Sequence, residues 1–354
     1  MRIEPIRIGK RLVGPGCPAY IIAEISANHQ QNLSTAKSIV EAAKHAGADA
    51  VKLQTYTPDT LTIDCDKPPF RIRGGTLWDG RTLYDLYREA YMPWEWHAEL
   101  FELAAKLQLD CFSTPYDVSS VEFLEKFNPS VYKVASFELV DIPLIEKIAA
   151  TGKPMIMSTG MASFDEISEA VESARSAGAG ELSLLKCTSA YPADCRDANL
   201  RTIPDMSSRF CLPIGISDHT EGHLAVVAAI ALGACIVEKH FTLSREIKGP
   251  DSSFSMEPAE FRHLVDAVRN CEAALGRVSY GPCPSEEKSK IFRRSLFAVR
   301  DIKKGEVLSA SNIRSIRPGN GLPPKYYRAI LGLKASCNID RGTPLSADQI
   351  EGFS

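Results

Sequence analysis

The sequence predicts an α/β chain, a (β/α)8 TIM barrel followed by a small β-rich domain. Three observations carry that reading. Short β-rich runs, eight in all, alternate with segments of helical periodicity. The joints from helix to next strand repeat one phrase, Ala46-Gly47-Ala48, Ser176-Ala177-Gly178-Ala179 and Leu232-Gly233-Ala234, which suits a left-handed helix end feeding a strand. The alternation stops after Gly276, and a breaker cluster, Gly281-Pro282-Cys283-Pro284, leads into a different pattern. The expected boundaries are 1–283 for the barrel and 284–354 for the end domain.

The expected strands are 20–25, 50–55, 110–115, 131–136, 154–159, 182–188, 213–218 and 236–241. Helical segments fall at 34–45, 94–107, 119–127, 142–150, 164–177 and 221–232. In the first of these Ala36, Ile39, Val40 and Ala43 share a face, Ser34 or Thr35 is a candidate cap, and Gly47 lies just past the end. Units of this kind over roughly 275 residues match the size of a (β/α)8 barrel. A doubly wound open sheet is the competing architecture, but no G-x-G-x-x-G follows the first strand. The end domain contains an internal echo. Ile302-Lys303-Lys304-Gly305 and Leu308-Ser309 recur as Ile339-Asp340-Arg341-Gly342 and Leu345-Ser346, at a constant offset of 37 residues. Each copy reads as a turn at Gly, a short strand ending at Leu, and a Ser able to cap one helical turn. Two copies suggest a compact pseudo-symmetric domain, since a solenoid needs more repeats.

Composition narrows the function classes. A net charge of −3 argues against nucleic acid or an anionic membrane as partner. The start, Met1-Arg2-Ile3-Glu4-Pro5, has no apolar signal core, so the cytoplasm is the expected compartment. The 10 cysteines include no C-x-x-C pair and read as reduced, mostly buried thiols.

In a barrel of this type chemistry sits at the carboxyl ends of the strands. Polar groups collect there in this sequence: Glu24, Lys52 and Gln54, Thr114, Lys133 with Ser136 and Glu138, Ser158, Lys186 with Ser189 and Tyr191, Asp218-His219, and Glu238-Lys239-His240. Ionisable groups in strands covered on both faces are costly unless paired or bound to something. Side chains alternate along a strand, so Glu238 and His240 share a face and Lys239 takes the other; Lys52 and Gln54 also share one. Lys133 and Ser136 differ in parity, and both reach one site only if the strand bends or ends between them. Two histidines from neighbouring strand ends suit a catalytic divalent ion with open positions. Four lysines, Lys52, Lys133, Lys186 and Lys239, suit a doubly anionic small substrate, or one of them a Schiff base.

These motifs together resemble the sialic acid synthase family, whose members condense phosphoenolpyruvate with an amino sugar. The likeness rests on Ala23-Glu24-Ile25, Lys52-Leu53-Gln54, Phe112-Ser113-Thr114-Pro115, Lys133-Val134-Ala135-Ser136, Ser158-Thr159-Gly160, Ser217-Asp218-His219-Thr220, Glu238-Lys239-His240-Phe241-Thr242 and Gly249-Pro250-Asp251. The end domain resembles the antifreeze-like (SAF) domain of these enzymes, with Arg317-Pro318-Gly319-Asn320-Gly321 as its signature. The resemblance implies that Lys52, Thr114, Lys133, Ser136, Ser158, Ser189 and Tyr191 hold phosphoenolpyruvate. The sialic acid branch carries Asn at the Ser189 position. It implies that His219 and His240 bind a divalent metal ion, Mn2+ before Mg2+ or Co2+. It places Gln54, Asp251 and Arg317 on an N-acylated amino sugar, with Arg317 supplied by the partner in a domain-swapped homodimer. Glu24 and Glu138 are the implied acid and base. Leu77-Trp78-Asp79-Gly80-Arg81, with Pro93-Trp94-Glu95-Trp96, is similar to the pseudaminic acid branch, which acts on a 6-deoxy diacetamido sugar. Its sialic and legionaminic branches are the alternatives. A Schiff-base aldolase and a non-catalytic carbohydrate-binding protein remain as other classes.

Overall fold

The computed structural model describes residues 3–353. The chain divides into two compact units, Met1–Gly276 and Arg277–Ser354. The first begins with a hairpin, β1 (Ile6–Ile8) antiparallel to β2 (Arg11–Val13). Eight parallel strands follow: β3 (Tyr20–Glu24), β4 (Ala50–Thr55), β5 (Asp110–Pro115), β6 (Tyr132–Val134), β7 (Met155–Ser158), β8 (Leu182–Cys187), β9 (Ile214–Asp218) and β10 (Ile236–His240). Each pairs with its neighbour in the chain and β10 closes on β3, so the sheet is a closed barrel. Closure in sequence order is what helical crossovers between successive parallel strands produce.

Alternation divides the apolar residues into two cores. Ile21, Ala23, Val51 and Leu53 point outward against the helices. Tyr20, Ile22, Ala50, Phe112, Ile156, Leu185 and Ile236 point inward, and Ile6, Ile8 and Val13 of the hairpin pack on them. The hairpin therefore plugs the amino-terminal end of the barrel, and the inward positions one layer higher carry the polar groups.

The helices of this unit are α1 (Leu33–Ala46), the short α2 (Pro58–Leu61) and α3 (Leu83–Ala90), α4 (His97–Lys106), α5 (Val118–Leu124), α6 (Ile142–Ala149), α7 (Phe164–Ser176), α8 (Thr202–Phe210), α9 (Leu224–Ala231) and, after the last barrel strand, α10 (Pro258–Leu275). Asn32, not Ser34 or Thr35, caps α1, its side chain accepting from Thr35 N at 3.0 Å. Gly47 ends that helix in the left-handed region at φ +91°, as its position predicts. The hairpin, α2, α3, α8 and α10 lie outside the expected elements. The hairpin and the first two helices are short, and a 3.6-residue pattern needs more turns to stand out.

In the second unit β11 (Ser295–Ala298) pairs antiparallel with β12 (Ile313–Ile316), and a short α11 (Tyr327–Ile330) follows. The echo is visible in space. Ile302 and Ile339, Leu308 and Leu345, and Ile313 and Ile350 all enter one apolar core. Ile302 and Ile339 exchange backbone hydrogen bonds of 2.8 and 2.9 Å. Ser309 N donates to Asn312 Oδ1 at 2.7 Å, and Ser346 N donates to Gln349 Oε1 at 3.1 Å, the same turn built twice.

Candidate active site

Strand register sets the inward polar groups side by side. His240 lies opposite Glu24, Glu24 opposite Lys52, Gln54 opposite Thr114, and Glu238 opposite Ser217. Above them opens a cavity of about 400 Å³ lined by groups from all eight barrel strands or the turns that follow them. That volume suits a small metabolite.

The cavity floor is a buried charge network. Lys52 Nζ sits 2.7 Å from Glu24 and 3.6 Å from Glu238 and donates to Thr114 Oγ1 at 3.1 Å. Lys133 Nζ lies 4.0 Å from Glu238 and donates to Ser158 Oγ at 2.6 Å. Ser217 Oγ donates to Glu238 at 2.9 Å. Burial opposes every charge here, and the partners decide which survive. Burial works against charge on Lys52, but Glu238 and Glu24 outweigh it and hold its pKa above the ordinary value. Burial also resists ionisation of Glu238, yet Lys133 and Lys52 keep its pKa low. Glu24 differs: burial outweighs the pull of Lys52, Glu238 adds repulsion, and its pKa rises to about 7. Burial outweighs the pull of Glu238 on Lys133 and lowers its pKa, so Lys133 holds its proton less firmly than Lys52. Both lysines line the cavity, which suits an anion.

β6 ends at Val134 and the chain turns there, with Glu138 N donating to Ala135 O at 3.2 Å. That early end brings both Lys133 and Ser136 to the cavity despite their parity. The same turn delivers Glu138, whose Oε2 is buried without a hydrogen bond and whose pKa burial lifts to about 7. Beside it Gly160 N donates to Ser136 Oγ at 3.1 Å. A Cβ at position 160 would collide with Ser189 Oγ and lie 2.7 Å from Ser136 Oγ, so only glycine leaves this cradle of hydroxyls open.

Across the cavity stand the two histidines, ring centroids 5.2 Å apart, with Tyr191 4.4 Å from His219 and 6.1 Å from His240. His219 Nδ1 lies 3.0 Å from Thr188 O. A carbonyl only accepts, so Nδ1 carries a proton, and in the neutral ring Nε2 is the lone-pair donor. His240 Nδ1 is buried with no partner. Burial, then the charges of His219, Lys52 and Lys239, drive His240 well below the ordinary pKa, so its ring is neutral. Burial works against charge on His219, but the Cys187 thiol and the Thr188 carbonyl outweigh it and raise its pKa, so a divalent ion would have to displace a proton from this ring. With that proton gone, the two ring nitrogens fit such an ion. No cluster of three or more His, Cys, Asp or Glu ligands occurs among the described residues, so any further ligands would come from substrate or water.

Gln54 Nε2 donates to Glu24 Oε1 and to Ser26 Oγ, each at 3.0 Å, and Ser26 Oγ donates to Asp251. The remaining wall comes from residues 57–91, which place Leu61, Ile72, Trp78, Leu83, Leu86 and Tyr87 on the cavity. Trp78 ties this wall to the loop after β10, its Nε1 donating to Pro250 O at 3.1 Å.

The comparisons with known proteins bear on this arrangement. Residues 39–280 match the model of the NeuB family, and residues 293–351 match the SAF domain. The chain belongs to the NeuB family. It is 48% identical to the pseudaminic acid synthase of Helicobacter pylori over 94% of this chain and 98% of that one. It is 36% identical to the N,N'-diacetyllegionaminic acid synthase of Legionella pneumophila, over 96% of each chain. Its structure is similar to that of the Bacillus subtilis spore coat polysaccharide biosynthesis protein SpsE, with a TM-score of 0.67 and 32% identity, covering 98% of this chain and 99% of that one.

In this NeuB-family chain Glu24, Lys52, Gln54, Lys133, Ser136, Glu138, Ser158, Tyr191, His219, His240 and Asp251 line one cavity. Thr114 lies just below it on Lys52, and Ser189 beside it at Gly160. Arg317 is exposed in the second unit, directly after β12. Two lysines expected at the mouth face outward. Lys239 pairs with Asp218 at 2.5 Å, as its parity predicts. Lys186, also outward by parity, donates to Cys187 O at 2.9 Å. Sequence reasoning passed over Ser26, Ser217 and Cys187. Each stands two residues from an inward group (Glu24, His219 and Leu185), so alternation was the available signal.

Proposed function

We propose that this chain is a transferase of the pseudaminic acid synthase type. It would condense phosphoenolpyruvate with 2,4-diacetamido-2,4,6-trideoxy-L-altropyranose and water to give pseudaminic acid and phosphate. The observation that carries this is the end-to-end likeness to a pseudaminic acid synthase, 48% identity over 94% of the chain. The apolar wall from residues 57–91 supports it, because a 6-deoxy sugar presents a methyl group where other sugars present a hydroxyl.

In this reading Lys52 and Lys133 bind the carboxylate and phosphate as fixed positive charges, and Ser136, Ser158 and Ser189 add hydroxyl donors. Carbon 3 of the enol attacks the aldehyde carbon of the open-chain sugar, forming the new C–C bond. Carbon 2 becomes oxocarbenium-like, water adds there and loses a proton, and phosphate leaves with the C–O bond. The sugar oxygen gains a proton, and Glu138, unpaired and titrating near 7, is placed to deliver it. Glu24, held on Lys52, would orient the water or share that role. His219 and His240 would hold a divalent ion, Mn2+ before Mg2+ or Co2+, which polarises a carbonyl as a Lewis acid.

The test is a panel of the altrose-derived sugar, the legionaminic precursor and N-acetylmannosamine, each with phosphoenolpyruvate. Products are weighed by mass spectrometry and phosphate release is followed. Activity is expected on the first sugar, lost in EDTA and restored by Mn2+. Product from N-acetylmannosamine alone overturns the sugar assignment, and borohydride trapping of a pyruvate adduct overturns the reaction class.

A further inference from the structure

Ser26 stands directly after β3 with a backbone φ of +49°. That left-handed conformation is strained for a residue with a Cβ and free for glycine. The side chain at 26 therefore has to contribute something that glycine lacks. Ser26 is 2% exposed and borders the cavity. Its hydroxyl has one proton, which goes to Asp251 Oδ2, while its lone pair takes Gln54 Nε2 at 3.0 Å. Ala27 N adds a second bond to Asp251 Oδ2 at 3.3 Å.

The consequence is a fixed pair of acceptors. Gln54 Nε2 is used up by Glu24 and Ser26, which turns Gln54 Oε1 away from both. Asp251 Oδ2 is used up by Ser26 and Ala27. Among the described residues neither Gln54 Oε1 nor Asp251 Oδ1 accepts a hydrogen bond, and both residues line the cavity. Gln54 comes from β4 and Asp251 from the loop after β10, and the Ser26 hydroxyl joins them.

We propose that Ser26 is a positioning residue for the amino sugar. It locks Gln54 and Asp251 so that two acceptor oxygens face the hydroxyl and amide N–H donors of that substrate. The inference rests on the reading of this cavity as a nonulosonate synthase site. It predicts a separation between substrates, because phosphoenolpyruvate lies on the lysine side.

The experiment uses the full-length enzyme after its sugar has been identified by turnover of the wild type. Ser26→Gly relieves the backbone and removes the hydroxyl, and Ser26→Ala removes the hydroxyl alone. Both variants are expected to raise KM for the sugar about tenfold, the worth of one buried hydrogen bond of about 1.4 kcal/mol, and to leave KM for phosphoenolpyruvate within twofold. Ser26→Gly is expected to melt at a higher temperature than Ser26→Ala. An unchanged sugar KM in Ser26→Gly overturns the inference, and so does an equal rise for both substrates. Inactivity of the wild type on every sugar would instead remove the functional reading beneath it.

Discussion

Glu138 reaches the cavity from the turn after β6 with one carboxyl oxygen buried and unpartnered. Burial lifts its pKa from the ordinary 4.5 to about 7, so the folded state binds its proton more tightly than the unfolded chain. The stabilisation this gives is complete below pH 4.5 and is lost as pH rises through about 7. Glu138→Gln keeps a neutral group at every pH. The variant is expected to lose stability less steeply between pH 5 and 8, by about 2–3 kcal/mol in urea titrations. It is also expected to lose about 100-fold or more in kcat, together with the limb near pH 7 of the kcat/KM profile. Persistence of that limb would assign it to another group, with Glu24 the first candidate. At this scale alternation within a strand was legible: Lys239 faces away from Glu238 and His240, on Asp218. What Glu238 touches was not legible. The shared face with His240 said nothing of its partners, and the carboxylate lies against Lys52 and Lys133 from other strands.

Two elements shape the site without supplying acid or base groups. The β1–β2 hairpin seals the far end of the barrel, with Ile8 fully buried among Tyr20, Phe112 and Ile156. Truncation there leaves a cavity that the rigid barrel cannot close. Ile8→Ala is expected to cost about 2–4 kcal/mol of stability in chemical denaturation, with both KM values unchanged at 25 °C. A shift in either KM would show that the plug communicates with the floor. The other element is the excursion over residues 57–91, which supplies the apolar wall. In the sequence Trp78 marked only the likeness to the pseudaminic acid branch, and α2 and α3 left no signal, because elements of 4 and 8 residues carry too few turns for a period.

Over the whole molecule the NeuB-family match ends at 280 and the SAF match begins at 293, on either side of the Gly281–Pro284 breaker, while the compact units meet between Gly276 and Arg277. The family resemblance implies that Arg317 serves the barrel of a partner chain. Mixing two inactive variants tests this. Arg317→Ala and Glu138→Gln, unfolded and refolded together, are expected to regain up to about a quarter of wild-type activity per site, since mixed pairs assemble one intact site. No recovery on mixing, with both chains shown to be dimeric, would place Arg317 in the site of its own chain. No helix among the described residues is long and apolar enough to cross a membrane.

By itself the sequence determined the barrel, its strand order and the charged residues that line the cavity. These follow from local rules: a period of two sends Glu24, Lys52, Gln54, Glu238 and His240 inward, and helix ends at Gly47, Gly178 and Gly233 mark three of the crossovers. The internal echo at 37 residues likewise announced a repeated turn before its core could be seen. Tertiary structure decided everything that depends on the register between strands. It set Glu24 rather than Glu238 as the carboxyl that keeps its proton toward neutral pH, joined Gln54 to Asp251 through Ser26, and brought Glu238 within reach of Lys52 and Lys133. The physical reason is that charge, burial and hydrogen bonding act at short range between side chains far apart in the chain, such as Ser26 and Asp251, 225 residues apart, and only closure of the barrel sets those distances.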